Sequence, residues 1–228
     1  MAVSVIQQVI GTDNQGAGDT AVVTFTATAG SYAHLYVTGS TSGGSAIAVP
    51  TSSPSQVWTR LDDLTDATNG QNSSHFVSDA LSAGSITVTE TYTVAGTLWR
   101  GIAVKEIGGS SGYDSAAGAH KANQQATPTT AADATTSTAT PALTSQPALY
   151  SGWCCDTASP GVPAAGTGFT NDGTGLTVLG GGTAILRGES LRVTSTTGIA
   201  TTFTAGINDN HHTFAAAFLE AVSGVNNA

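Results

Sequence analysis

Residues 85–94 read SITVTETYTV, in which Ile86, Val88, Tyr92 and Val94 share one side of a two-residue alternation and Ser85, Thr87, Thr89, Thr91 and Thr93 take the other. Successive strand side chains point to opposite faces, so this pattern predicts a half-buried antiparallel strand with a threonine ladder facing out. Glu90 is the one acid on its apolar side. The same period recurs in VSVIQQVI at the start and in TAVVTFTAT, AHLYVTG, WRGIAVKEI, ALYSGWCC, AILRGESLRV and GIATTFTAG. Clusters such as DNQGAGD, TSGGS, TNGQNSS and TNDGTG separate them and read as turns.

One segment fits two periods. In HTFAAAFLEAV, Phe214, Phe218, Ala221 and Val222 make a helical stripe, with Asn210 and Gly224 placed as caps, while Phe214, Ala216, Phe218 and Val222 also alternate as a strand. An internal echo favours the strand. Leu35-Tyr36 returns as Leu149-Tyr150, Gly84 as Gly198 and Glu106 as Glu220, each 114 residues on. At that offset the segment occupies the slot of WRGIAVKEIGG, whose β-branched residues and double glycine suit a strand.

Between the halves, residues 110–141 are low in complexity and nearly free of large apolar side chains. They predict a long crossover or an exposed arm rather than a core of their own. The fold class that follows is all-β: an antiparallel β-sandwich, jelly-roll-like, built from two pseudo-repeated four-strand halves. The whole of 1–228 reads as a single β-sandwich domain, with half 1 at about 1–109, the crossover at 110–141, half 2 at 142–222 and a short tail at 223–228.

Composition agrees with that class. Charged residues make up 9% of the chain and glycine reaches 28, so hydroxyls and glycine backbone must cover the surface. A net charge of −9, with six scattered cations, argues against a nucleic-acid partner, which needs clustered Lys and Arg. The N-terminal residues show no basic leader or apolar core of a signal peptide, and no apolar run is long enough to span a membrane. The only cysteines, Cys154 and Cys155, are adjacent and read as two small buried thiols.

Candidate chemistry is sparse. His211-His212 with Asp209 invites a metal or general-base reading, but on a strand the imidazoles face opposite sides, which points to a surface or strand-entry role. Asp62, Asp63 and Asp66 offer carboxylates of the kind that cleave glycosides, on an expected loop where acids solvate a turn. The loops TDNQGAGD and TNDGTG hold oxygen ligands without the calcium-loop spacing, and LGGGTA lacks the following Lys-Ser or Lys-Thr of a phosphate loop. Neither metal nor cofactor is expected, nor catalytic residues. Aromatic rings stack on sugars and on partner side chains. Among Tyr32, Tyr36, Trp58, Trp99, Tyr113 and Trp153, the best placed for exposure are Tyr113 and Trp58. The candidate binding set is Trp58, Tyr113, Tyr32, His211 and His212.

The stretches DTAVVTFTATAGSYAHLYV, WTRLDD, SDALSAGSITVTETYT and GTGFTNDGTGLTVL resemble the threonine- and glycine-rich jelly-roll proteins of tailed-bacteriophage virions. The resemblance implies a non-enzymatic virion protein made in the host cytoplasm. It would most simply be a decoration or cement protein on the capsid exterior, whose mid-chain arm and N-terminal strand reach neighbours. The alternative is a tail-tip or fibre adhesin binding host surface polysaccharide. The implied partners are the major capsid protein or tail proteins, copies of the chain itself, and host glycan.

Overall fold

The computed structural model describes residues 1–13, 20–40, 47–66, 70–92, 100–118, 120–125, 135–139, 142–145, 147–157, 164–173, 176–178, 184–204 and 210–222. Among these the regular structure is entirely strand. The first half holds β1 (Ser4–Ile10), β2 (Thr12–Asp13), β3 (Thr20–Ala27), β4 (Tyr32–Ser40), β5 (Thr51–Ser53), β6 (Trp58–Asp66), β7 (Gln71–Ser78), β8 (Gly84–Thr91) and β9 (Arg100–Gly108). The second holds β10 (Ser110–Tyr113), β11 (His120–Gln125), β12 (Thr135–Ala139), β13 (Ala148–Thr157), β14 (Ala164–Ala165), β15 (Thr170–Asn171), β16 (Leu176–Val178), β17 (Ala184–Val193), β18 (Ala200–Thr204) and β19 (Asn210–Glu220).

All ladders between these strands are antiparallel, in four sheets. Sheet 1 runs β1-β9-β4-β7-β6 and sheet 2 runs β2-β3-β8-β5. Sheet 3 runs β10-β19-β13-β17-β15, with β11 also on β19 and β16 also on β17, and sheet 4 runs β12-β18-β14. The second half thus repeats the order of the first: β19, β13 and β17 take the places of β9, β4 and β7, while β12, β18 and β14 take those of β3, β8 and β5. Of the segment 211–222, ambiguous in sequence, all but the last two residues lie in a strand: Asn210–Glu220 is β19, and Asn210 to Leu219 pair with β13.

The halves stack through sheets 1 and 3. Ala33, Leu35 and Val37 of β4, Ile102 and Val104 of β9 and Phe76 of β7 pack on Val23, Phe25, Ile86 and Val88 of sheet 2. The opposite face of sheet 1 presents Tyr36, Ala103 and Ile107 to Trp153, Cys155, Leu186, Phe214 and Phe218 of sheet 3. Behind sheet 3, Ala148, Tyr150, Val193 and Ala217 form a further cluster, and Phe203 of β18 in sheet 4 is buried. The order of layers is therefore sheet 2, sheet 1, sheet 3, sheet 4, and the central strands of the two inner sheets, such as β7 and β9, have no solvent face.

Two departures from expectation follow. The Leu-Tyr echo is not a structural equivalence: Leu35 faces sheet 2 within its own half, whereas Leu149 faces sheet 1 across the halves. The duplication lies in strand order, and a one-residue change of phase is enough to turn each echoed side chain to the other face. Each half also holds more than four strands. One addition is β7, whose sequence QNSSHFVS overlaps an expected turn cluster yet is buried at every position. The crossover segment likewise contributes β10 and β11 to the edge of β19 and β12 to β18 rather than standing off as an arm.

Both expected details of β8 appear. The hydroxyls of Thr24 and Thr87 meet at 2.9 Å on the outer face of sheet 2. Glu90, on the inner face, is fully buried and accepts the Ala48 N–H at 3.1 Å. Burial pushes its carboxyl from 4.5 up to about 8, partly offset by that hydrogen bond and by Arg60. A carboxyl with a raised folded pKa contributes stability present below about 4.5 and lost as pH rises through about 8. Glu90→Gln, neutral throughout, is expected to gain on the parent between acidic and alkaline buffer by at least about 1.4 kcal/mol, the equivalent of one pKa unit. Urea unfolding at both ends of the range measures it; a constant difference would mean that Glu90 is ionised in the fold.

Candidate functional site

Two arrangements gather polar or aromatic side chains from several strands. The first is the layer between sheets 1 and 3, where alternation aims His34, Tyr36 and Thr38 of β4 and Ser73 and His75 of β7 at Ser151 of β13 and His212 of β19. Ser151 Oγ lies 2.8 Å from His34 Nδ1, His34 Nε2 lies 3.0 Å from His75 Nδ1, and His75 Nε2 lies 3.0 Å from Asp62 Oδ2. With Asp62 ionised and both imidazoles neutral, one assignment gives every contact a donor and an acceptor. Ser151 donates to His34, His34 Nε2–H to His75, and His75 Nε2–H to the carboxylate.

A β-bulge makes this possible. The register of β6 against β7 shifts between Arg60 and Asp62, so Arg60 sits opposite Phe76 while Asp62 sits opposite His75. The extra residue turns Asp62 to the face of the imidazoles. Asp63 accepts from Ser74 Oγ. The carboxylates considered for glycoside cleavage thus lie on a strand, engaged by β7; the side chain of Asp66 falls outside the described residues.

A second knot centres on Ser73. Tyr36 donates to Ser73 Oγ at 2.9 Å, and Thr38 Oγ1 donates to the Asn72 carbonyl at 3.0 Å while lying 2.7 Å from Ser73 Oγ. Thr38 has then spent its proton, so Ser73 donates to it and has a lone pair left for His212 Nδ1–H at 2.9 Å. Burial, with smaller contributions from His75 and Lys105, holds the His34 imidazole well below the usual histidine range. Burial, with the Cys155 thiol, raises the Tyr36 phenol well above its own. Although serine, imidazoles and carboxylate stand in the order of a nucleophilic relay, Ser151 is fully buried and offers its oxygen to no substrate.

The second arrangement is a surface cleft of about 250 Å³ between the start of β4, the β6–β7 edge and β10, lined by Tyr32, Thr59, Ser78, Asp79, Gly112 and Tyr113 among others. Gly112, at φ 122°, lays bare backbone on the Tyr32 ring: a Cβ there would stand 3.4 Å from Tyr32 Cε1 in a conformation other residues resist. The Tyr32 hydroxyl donates to the Ser111 carbonyl at 3.2 Å. Tyr113 packs edge-on against Phe218 at 6.4 Å. Burial, then Asp62 and Asp114, pushes its hydroxyl above the usual tyrosine range, so it remains a neutral phenol. Both tyrosines are half-buried, and Asp79 is exposed at the rim.

Of the five candidate binding residues, the structure brings Tyr32 and Tyr113 to one cleft and leaves the others elsewhere. Trp58, expected beside a polar loop, is 6% exposed in the core of the first half, its indole N–H directed at Ser52 Oγ 3.3 Å away. His211 and His212 do face opposite sides of β19, but both are buried by neighbouring layers rather than placed at a surface. Tyr36 and Trp153 lie inside the central layer, their rings 6.0 Å apart. Cys154 and Cys155 are buried and form no disulfide. Trp99, the loop TDNQGAGD beyond Asp13 and the run GGGT lie outside the described residues. In TNDGTG, Asp172 is engaged by Ser190, whose hydroxyl donates to it at 2.6 Å. No group of three His, Cys, Asp or Glu side chains suited to a metal occurs among the described residues. No protein-family model, curated protein or solved structure matches the chain.

The depressed His34 pKa has a fixed sign in pH dependence. The unfolded chain takes up a proton near the ordinary histidine value of about 6.5 that the folded chain refuses. The contribution is complete above that value and is lost as pH falls below it. Unfolding free energy should therefore drop on acidification below about 6.5, and His34→Gln, with no proton to gain, should flatten that limb. Denaturant midpoints across neutral and mildly acidic pH give the slope; equal slopes would rule His34 out as its source.

Proposed function

We propose that the chain is a non-enzymatic adhesive component of a bacteriophage particle, which engages surface polysaccharide through the cleft of Tyr32 and Tyr113. The observation that carries this reading is the cleft. It places two rigid aromatic faces beside hydroxyls and one exposed carboxylate, the combination that stacks on the apolar face of a sugar and accepts its hydroxyls. Its volume, about 250 Å³, lies below the roughly 300 Å³ at which drug-sized pockets begin, so it fits a single ring of a longer chain. Weak single-ring binding becomes firm when many copies on one particle bind one polymer.

The strand order supports the jelly-roll resemblance behind the particle assignment. In the first half β1, β9, β4 and β7 lie side by side in one sheet and β3, β8 and β5 in the other, and the second half repeats that order. His34, His75, His212 and Asp62, the groups nearest to a relay, are engaged with one another and with serines in the central layer, which favours adhesion.

A capsid-decoration role is the second reading. It is favoured by the hydroxyl-bearing outer face of sheet 2 around Thr24 and Thr87, a surface suited to lying on a protein shell. Docking through a free arm and a free N-terminal strand is weakened, because β1 pairs with β9 and the described parts of the mid-chain segment pair within the chain.

On immobilised host polysaccharides the purified chain should bind, and Tyr113→Ala should weaken binding at least about tenfold, or about 1.4 kcal/mol. Asp79→Ala, at an exposed position, should weaken it without moving the unfolding midpoint. Absence of glycan binding together with co-sedimentation on assembled heads would transfer the assignment to decoration.

A further inference from the structure

Lys105 of β9 points from sheet 1 into sheet 3 and is fully buried. Its Nζ donates to the carbonyls of Gly152 at 2.6 Å and Glu189 at 2.8 Å, and stands 4.4 Å from the centre of the Trp153 ring. The slot exists because Gly188 leaves bare backbone on β17: a Cβ there would lie 2.5 Å from Lys105 Cε and 2.9 Å from Nζ. Into the same slot the turn after β15 delivers Asp172, anchored by its N–H to the Gly188 carbonyl at 2.9 Å. Its Oδ2 lies 2.9 Å from Nζ, off the line of an aligned hydrogen bond, while Oδ1 accepts the Ser190 hydroxyl at 2.6 Å.

We propose that Lys105 and Asp172 condense to an intramolecular amide that covalently joins the two halves. The ammonium gives one proton to Oδ2, leaving a neutral amine beside a carboxylic acid. The Nζ lone pair attacks Cγ, the Nζ–Cγ bond forms, and the Cγ–Oδ2 bond breaks as the hydroxyl leaves with a second Nζ proton. One ammonium and one carboxylate become one secondary amide and one water, with no oxidant, reductant or cofactor. Ser190, already on Oδ1, stabilises the negative charge that develops there. The amide N–H retains one of the two backbone carbonyls as its acceptor.

Three features drive the step. Charges held this deep carry a heavy desolvation cost, and condensation removes both at once. Burial lowers the Lys105 pKa, opposed by the Asp172 and Glu189 carboxylates, which brings the nucleophilic amine within reach. The reacting atoms are fixed by packing and short hydrogen bonds, so the encounter is intramolecular and oriented. The expelled water has an outlet, because Asp172 and Ser190 also line a cavity of about 400 Å³ that opens beside β1 and β17.

The test uses the full purified chain and does not depend on the proposed function. Denaturing intact-mass measurement should find it one water lighter than its composition requires. Protease mapping should recover a branched peptide joining the Lys105 and Asp172 segments, with no tryptic cut after Lys105. Lys105→Arg and Asp172→Ala should each restore the water and abolish the branch. A parent of full mass with cleavage after Lys105 would overturn the proposal. So would a water deficit that persists in Lys105→Arg, since the loss would then lie elsewhere.

Discussion

The central strands of sheets 1 and 3 are covered on both faces, and that constraint organises everything else. A strand with one wet face can alternate apolar and polar residues, but a strand between two layers has no water on either side for its polar groups. Any hydroxyl, imidazole or ammonium placed there must find its partner across the gap, because an unmet buried polar group costs about 1–3 kcal/mol. The central layer therefore solves a matching problem. Tyr36, Thr38 and Ser73 come from one half and His212 from the other, and the single hydroxyl of Ser73 has the capacity for all of them only with the donors disposed as described. The Ser151, His34, His75 and Asp62 chain solves the same problem along a line from the interior to the rim.

Such a layer fixes register more firmly than an oily one. Apolar contacts between Phe214, Tyr36 and Trp153 tolerate sliding, whereas directional bonds between β4, β7, β13 and β19 do not. The β6 bulge shows how local this fitting is. One extra residue, Leu61, joins the apolar contacts between the sheets while its neighbour Asp62 reaches His75. The same rigidity holds the β10 backbone against Tyr32, because Tyr113 leans on Phe218 and Asp114 donates its N–H to the Ala217 carbonyl at 3.0 Å. A shallow cleft on the edge is thus backed by the best-packed part of the molecule.

What the sequence disclosed followed from which strands keep a wet face. β3 and β8 line the outside of the stack, and their alternation, the threonine ladder and the odd position of Glu90 were all legible in the residue pattern alone. β7 was not. Its polar residues matched the composition of a turn, and nothing local tells an Asn-Ser-Ser-His run that will be solvated from one whose partners arrive from a different half of the chain. The candidate aromatics divided for the same reason. Trp58 stands beside acids in sequence but faces sheet 2 in space, while Tyr32 and Tyr113 share a cleft only because β10 returns along the edge of β19. Residue pairs brought together by long-range pairing leave no periodic trace.

Lys105 illustrates how a residue can look ordinary in sequence and extreme in place. Within WRGIAVKEI it takes the opposite side of the alternation from Ile102 and Val104, and in an isolated first half that face of sheet 1 would be open to solvent. Stacking the second half on that face buries it, and Gly188, bare where a Cβ would meet the Lys105 side chain, makes room for it. A cation held between layers, fed by backbone carbonyls and closed by one carboxylate from the other half, ties the stacking of the sandwiches to a single contact. Whether as an ion pair or as an amide, that contact exists only when both halves are folded and docked, so it acts on the assembled stack and not on either half alone.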